Sequence, residues 1–283
     1  VKINIKKKKL NLIAAKLNIH GNIFGTNVPD LIKKIPPAIR NASYTEDCIV
    51  TNGLWNWRII LDDEKNSFLL GRLCKARNET TEVLKGTSVG DFEIPTKVYY
   101  SFFLYEPKEE ILIFEENSNI SKHQFAENFD LILQRIDYVI GQVVIVPYPK
   151  KNEYRNLLRK ALQVTALEFE IIPPNFKKRK SYKNIHEIIA DQKSKKLNVK
   201  FENEDGVNIE GDFVDEGFSL LEEGYVPESR AVIINREGNS EIISSNTMIN
   251  QREFKLKEGN INEVFRLLKI MFNNAKPRID TNE

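Results

Sequence analysis

Alternation of apolar and polar positions dominates this chain, interrupted by a few stretches of helical period. Leu10, Leu12, Leu17 and Ile19 stand among polar residues and predict a strand over residues 10–19. Gly21 and Gly25 break it. Asp30 can cap a short helix over 31–34, which Pro36-Pro37 ends, with a second short piece following from Ala38. Trp55, Trp57 and Ile59 then alternate with Asn56 and Arg58. With a turn at 62–66 and a return strand over 67–77, they predict a hairpin. Residues 78–94 are polar, contain Gly86 and Gly90, and predict a loop. A second hairpin is expected from 97–105 and 110–115 around Glu106-Pro107-Lys108.

Ser121 with Gln124 three residues on has the form of a capping box. Phe125, Phe129, Leu133 and Ile136 follow at helical spacing, so one helix face is expected to pack on the preceding sheet. The run 143–146 predicts a strand, and Asn152 can cap a helix over 153–163. Leu167, Phe169 and Ile171 alternate again and stop at Pro173-Pro174, which cannot donate to a sheet ladder. Beyond them lie a helix start at Asn184, a polar turn over 202–212 and a helix over 215–223 closed by Gly224. Strands over 230–235, 241–244 and 252–257 and a final helix over 260–272 complete the chain. The expected fold class is α+β, with mainly antiparallel strands in two sheet-plus-helix subdomains. The expected domains are 1–137 and 138–283, the second carrying a basic loop over 173–200.

At 283 residues the chain accommodates two modest domains or one large one. No apolar run has the length needed to span a bilayer as a helix, so no membrane segment is expected. Lys16 and Asn18 interrupt the apolar stretch after Lys6–Lys9, which reads as a strand rather than a signal peptide. Cys48 and Cys74 are the two cysteines; they give no disulfide framework and fit a cytoplasmic location. The net charge is +2, unevenly spread: residues 1–149 carry +1, residues 150–200 carry +9 and residues 201–283 carry −8.

The catalytic signatures are weak. His20, His123 and His186 are isolated, and no metal ligand set or cofactor loop is expected. Glu253-Phe254-Lys255 on a predicted strand has the Glu-x-Lys spacing of metal-dependent nucleases, with Glu241 or Asp215 as a further carboxylate. A charged outer sheet face explains the same spacing. Glu168 and Glu170 share a face in the same way. The strongest feature is the basic element: Lys177, Lys178, Arg179, Lys180 and Lys183, extended by Lys193, Lys195, Lys196 and Lys200 and flanked by Phe176 and Tyr182. Such a cluster can neutralise several phosphates without reading sequence. It offers cations and donors but no nucleophile, so a binding role is expected and no catalytic residue is assigned.

The hairpin over 99–115 feeding the helix from Ser121, and the strand 168–173 running into a lysine-rich segment, resemble RexA-like and KwaB-like anti-phage proteins in layout and length. That resemblance implies an α+β, non-specific DNA-binding protein of bacterial defence, acting with a partner protein and often as a homodimer. DNA and RNA both remain open as ligands. The alternatives are a metal-dependent nuclease using Glu253 and Lys255, or a protein–protein interaction subunit whose acidic C-terminal part docks a basic partner.

Overall fold

The computed structural model describes residues 9–20, 28–85, 87–173, 188–189, 191–192, 194–257 and 260–275. The first strand, β1 (Lys9–His20), is apolar on both faces and is buried along nearly its whole length. Two short helices follow, α1 (Val28–Ile32) and α2 (Ile35–Tyr44). Pro36 and Pro37 open α2 rather than ending α1. The first turn of a helix lacks partners for its N–H groups anyway, so proline is tolerated there.

Strands β2 (Val50–Asn52), β3 (Trp55–Lys65), β4 (Phe68–Lys85), β5 (Ser88–Glu106) and β6 (Ile111–Glu116) form an antiparallel meander. The β3–β4 turn is only Asn66-Ser67, both at positive φ, as a tight hairpin with right-handed strand twist requires. The expected loop over 78–94 is instead strand up to Lys85 and again from Ser88. Residues 79–85 pair with 88–94 in a two-stranded arm. Among the described residues, β3 follows β4 only to Ala76, and β6 meets β5 only from Phe103.

Helix α3 (Lys122–Ile136) begins at the full Ser121–Gln124 capping box and buries Phe125, Phe129, Ile132 and Leu133. Phe103 packs edge-on against Phe129, and Phe114 stacks on Phe125. After β7 (Gln142–Pro147), α4 (Glu153–Lys160) is shorter than expected, because residues from Gln163 belong to β8 (Gln163–Ile171). Asn152 sits in the left-handed region and makes no side-chain cap bond. Then come β9 (Leu197–Glu202), α5 (Asp212–Glu222), β10 (Glu228–Ile234), β11 (Ser240–Ser244), β12 (Gln251–Lys255) and α6 (Ile261–Ala275).

The fold is α+β with two antiparallel sheets. The eight-stranded sheet runs β12-β1-β6-β5-β4-β3-β2, with β7 also on β1; the four-stranded sheet runs β11-β10-β8-β9. The sheets do not follow the expected division at residue 137. Both β7 and β12 come from the second half of the sequence, yet they pair end to end along one edge of β1. Helix α6 packs its Val264, Leu268 and Met271 on the large sheet. That sheet therefore has an apolar core on each face, with α1, α2 and α3 over one and α6 over the other. The small sheet packs α4 and α5 on a separate core around Phe169, Phe218 and Leu221.

Close approach fixes one position in the large sheet. A Cβ on Gly71 would meet the Ile60 carbonyl oxygen at 2.6 Å and the Phe103 ring at 2.6 Å. Gly71→Ala should therefore destabilise the fold by about 1–3 kcal/mol through overpacking, read as a lower urea midpoint with an unchanged slope.

Candidate functional site

The basic element singled out by charge lies largely outside the described residues: Lys177, Lys178, Arg179, Lys180, Lys183 and Lys193 belong there, as does the helix start at Asn184. Lys195 and Lys196 precede β9 and are exposed. Lys196 Nζ pairs with Glu170 at 2.9 Å, and Lys200 on β9 pairs with Glu202 at 2.8 Å. The register explains this partnering. Glu168 stands opposite both Lys200 and Arg230, while Glu170 stands opposite Asn198 and Glu228. Charges of both signs thus interleave on the outer face of the small sheet, and exposed pairs of this kind stabilise little.

The carboxylates of the nuclease candidate are each engaged elsewhere. Glu253 on β12 pairs with Lys9 at 2.9 Å, Asp215 on α5 pairs with Arg155, and Glu241 on β11 accepts from Asn235. Among the described residues, no three His, Cys, Asp or Glu side chains are grouped as a metal site. Cys48 and Cys74 are buried free thiols. His123 is exposed in the first turn of α3 and lines a cleft of about 270 Å³ whose other walls are mostly apolar. His20 closes β1 and is buried, and neither ring nitrogen has a hydrogen-bond partner among the described residues. Burial, and then the charge of Lys195, hold its pKa down at about 4.

A different group of cations and aromatics is assembled by the meander. The strand period of two places Trp55 and Trp57 on one face of β3, Lys75 and Arg77 on that face of β4, and Lys97 and Tyr99 on that face of β5. Cross-strand pairing then brings them together: Lys75 stands opposite Trp57 on one side and Tyr99 on the other, and Arg77 stands opposite Lys97. Lys75 Nζ lies 4.3 Å from the Trp55 ring centre, and the Arg77 guanidinium lies 4.2 Å from it. Tyr99 meets Trp55 edge-on at 5.8 Å, with Lys97 5.3 Å from the Tyr99 ring.

These residues continue the face that α2 and α3 cover farther along the strands, and they form its partly open end. Trp57 is buried, Trp55 and Tyr99 are half-buried, and the indole N–H of Trp57 has no partner among the described residues. Lys75 is buried too; its Nζ donates to the Asn119 carbonyl at 3.1 Å. Burial and then the neighbouring Arg77 push its pKa down. Glu79 offsets part of the charge, pairing with Lys97 at 2.7 Å and with Arg77 at 2.9 Å. Three cations against one carboxylate leave a local excess of positive charge beside half-buried aromatic rings. The sequence contains a signal for this site, namely three dyads at strand spacing. Register is what joins them across some forty residues.

The fold and this surface define an α+β protein of two fused sheet-and-helix units, with one sheet end left open and lined by cations and aromatics. A family model described as "Domain of unknown function (DUF4747)" matches residues 60–271, about three quarters of the chain, and the chain belongs to that family. The matched span takes in Lys75, Arg77, Lys97 and Tyr99 and begins just after Trp55 and Trp57. No curated protein matches the chain.

Proposed function

We propose that the protein binds nucleic acid without strong sequence preference, through the open end of the large sheet. The observation that carries this reading is Trp55 flanked by Lys75 and Arg77 at 4.2–4.3 Å, with Tyr99 and Lys97 alongside. Cations beside aromatic faces are the combination that holds a sugar-phosphate backbone while bases stack. A lysine whose charge is disfavoured by burial first and by Arg77 second gains from a nearby phosphate. The +9 block over 150–200 supports the same reading as a second contact zone.

The layout shared with RexA-like and KwaB-like proteins adds the setting: bacterial anti-phage defence in the cytoplasm, with a partner protein and a homodimer as the working form. The β4–β5 arm fits the partner side of that picture. Its sequence over 78–95 carries four carboxylates against one lysine, which suits a protein surface better than a polyanion. A ribbon of two strands is also marginally stable until something covers it.

A salt titration of binding to labelled DNA and RNA tests the reading. Arg77→Glu with Lys97→Glu is expected to weaken binding by at least ten-fold at moderate salt. The same change should flatten the salt dependence by about one power of salt concentration for each phosphate that is no longer neutralised. Charge reversal at Lys177, Lys178, Arg179 and Lys180 tests the second zone. If retention of nucleic acid falls in neither variant, the protein is not a nucleic-acid-binding one of this kind.

A further inference from the structure

Beside the open sheet end lies a notch of about 550 Å³, lined by Leu54, Asn56, Arg77, Asn78, Glu79 and Thr80. Its two walls have separate origins. One is the β2–β3 turn, where Gly53 at φ +61 lets the chain reverse and leaves the Leu54 side chain 81% exposed at the tip. The other is the base of the β4–β5 arm, where the register slips between Arg77 and Glu79. There two residues of β5, Pro95 and Thr96, stand against the single Asn78 of β4, a bulge that re-aims the pairing. The notch therefore has an apolar lip, amide and hydroxyl groups, and the Arg77 guanidinium that also lies on Trp55. The Asn56 carbonyl oxygen accepts from Thr51, which leaves its amide N–H groups to donate.

We infer that this notch takes an unpaired base of a single-stranded nucleic acid, whose backbone phosphates run along Arg77 and Lys97. The inference rests on the nucleic-acid reading above and names its substrate class. The notch is open to solvent, and its volume of about 550 Å³ leaves room for a single base. Asparagine amides and a threonine hydroxyl match the donor and acceptor edges that a base exposes once it leaves the stack. A duplex keeps those edges inside its grooves and its base faces stacked, so it reaches the cations but leaves the notch empty. Charge complementarity points the same way: Arg77 lines the notch, and its single carboxylate, Glu79, is already shared between Arg77 and the neighbouring Lys97.

The chain provides its own probe, since Trp55 and Trp57 are its two tryptophans and both lie at this site. The full chain is titrated with a labelled twelve-nucleotide single strand (DNA and RNA versions) and with a hairpin duplex of matched length. Anisotropy of the label and intrinsic tryptophan fluorescence are followed together. The expected result is a single-strand affinity about ten-fold or more above that of the duplex, with tryptophan quenching that saturates at the same midpoint. Leu54→Ala with Asn78→Ala should lower single-strand affinity about ten-fold while leaving duplex affinity unchanged. Both positions are exposed or at a bulge, and an unchanged melting temperature confirms the variant is folded.

Equal affinity for duplex and single strand overturns the inference while leaving the nucleic-acid reading intact. So does single-strand binding with no tryptophan response and no effect of the double variant. If neither nucleic acid binds even at low salt, the underlying reading falls and this one with it. Binding of a protein partner that Leu54→Ala abolishes, with no competition from oligonucleotide, also overturns it.

Discussion

Lys16→Met should destabilise the fold by about 3–5 kcal/mol, enough to remove a large part of a typical domain's stability. Lys16 lies in the middle of β1 with its side chain 6% exposed, and its Nζ pairs at 2.8 Å with Glu110, whose side chain is fully buried. The same Nζ donates to the Glu109 carbonyl at 2.9 Å and lies 5.6 Å from the Tyr225 ring. The pair stands where the two sheet units meet: Asn18, two residues on, donates to the Gly224 carbonyl at 2.9 Å. Gly224 itself is pressed against Lys16, since a Cβ there would collide with the lysine Cβ. Methionine fills a similar volume but removes the ammonium paired with a carboxylate that water cannot reach. Loss of that buried ion pair, rather than any loss of packing, is what makes the change severe. Glu110→Gln introduced together with Lys16→Met should recover most of the loss. Urea unfolding of the four members of this cycle measures the coupling, and a double variant as unstable as Lys16→Met alone would refute the charge argument.

Acidification should weaken the protein through His20. Its pKa in the fold is held down at about 4, by burial first and by Lys195 second, against an ordinary value of 6.5. Above pH 6.5 the imidazole is neutral in both folded and unfolded chains and contributes no pH dependence. Between 6.5 and 4 the unfolded chain takes up a proton that the folded one refuses, so stability falls as pH drops. The full loss is about 3 kcal/mol once pH is below 4, and about 2 kcal/mol is already gone at pH 5. Carboxylates titrate over part of the same range. The decisive measurement is therefore the difference between wild type and His20→Gln, followed by urea unfolding from pH 7.5 to 5. If the two curves run parallel, His20 is not held neutral by the fold.

The elements legible in the sequence are those whose side chains have two unlike faces. Leu167, Phe169 and Ile171 alternate because β8 is buried on one side only, and α3 announces itself through Ser121, Gln124 and its aromatic stripe. The arm over 78–95 is not legible in this way. Its sequence is polar and does not alternate cleanly, and Gly86 and Gly90 read as loop punctuation. Pro36 and Pro37 mislead for a related reason, since proline marks a helix start as readily as a stop. The placement of β12 is beyond reach: its strand character is local, but its partner β1 lies at the other end of the sequence. The same holds for the aromatic and cationic sheet end. Each residue can be assigned to a strand, yet only pairing puts Lys75 between Trp57 and Tyr99. The charge block draws attention because net charge is visible without a fold, and Lys196 and Lys200, two of its described lysines, are already partnered.

The double partnership of β1 also has a temporal side. One of its edges is completed by β7 and β12, and Gln251 of β12 lies about 240 residues after Ile13, the residue it pairs with. At ribosomal speeds of about 5–20 residues per second, the intervening chain takes roughly 12–50 s to appear. Through that interval a strand apolar on both faces has an incomplete edge, the kind of template on which nascent chains stick to one another. The protein's yield in a cell is thus tied to how β1 is sheltered during synthesis, and a nascent chain halted before residue 251 should be held by chaperones or lost to aggregation.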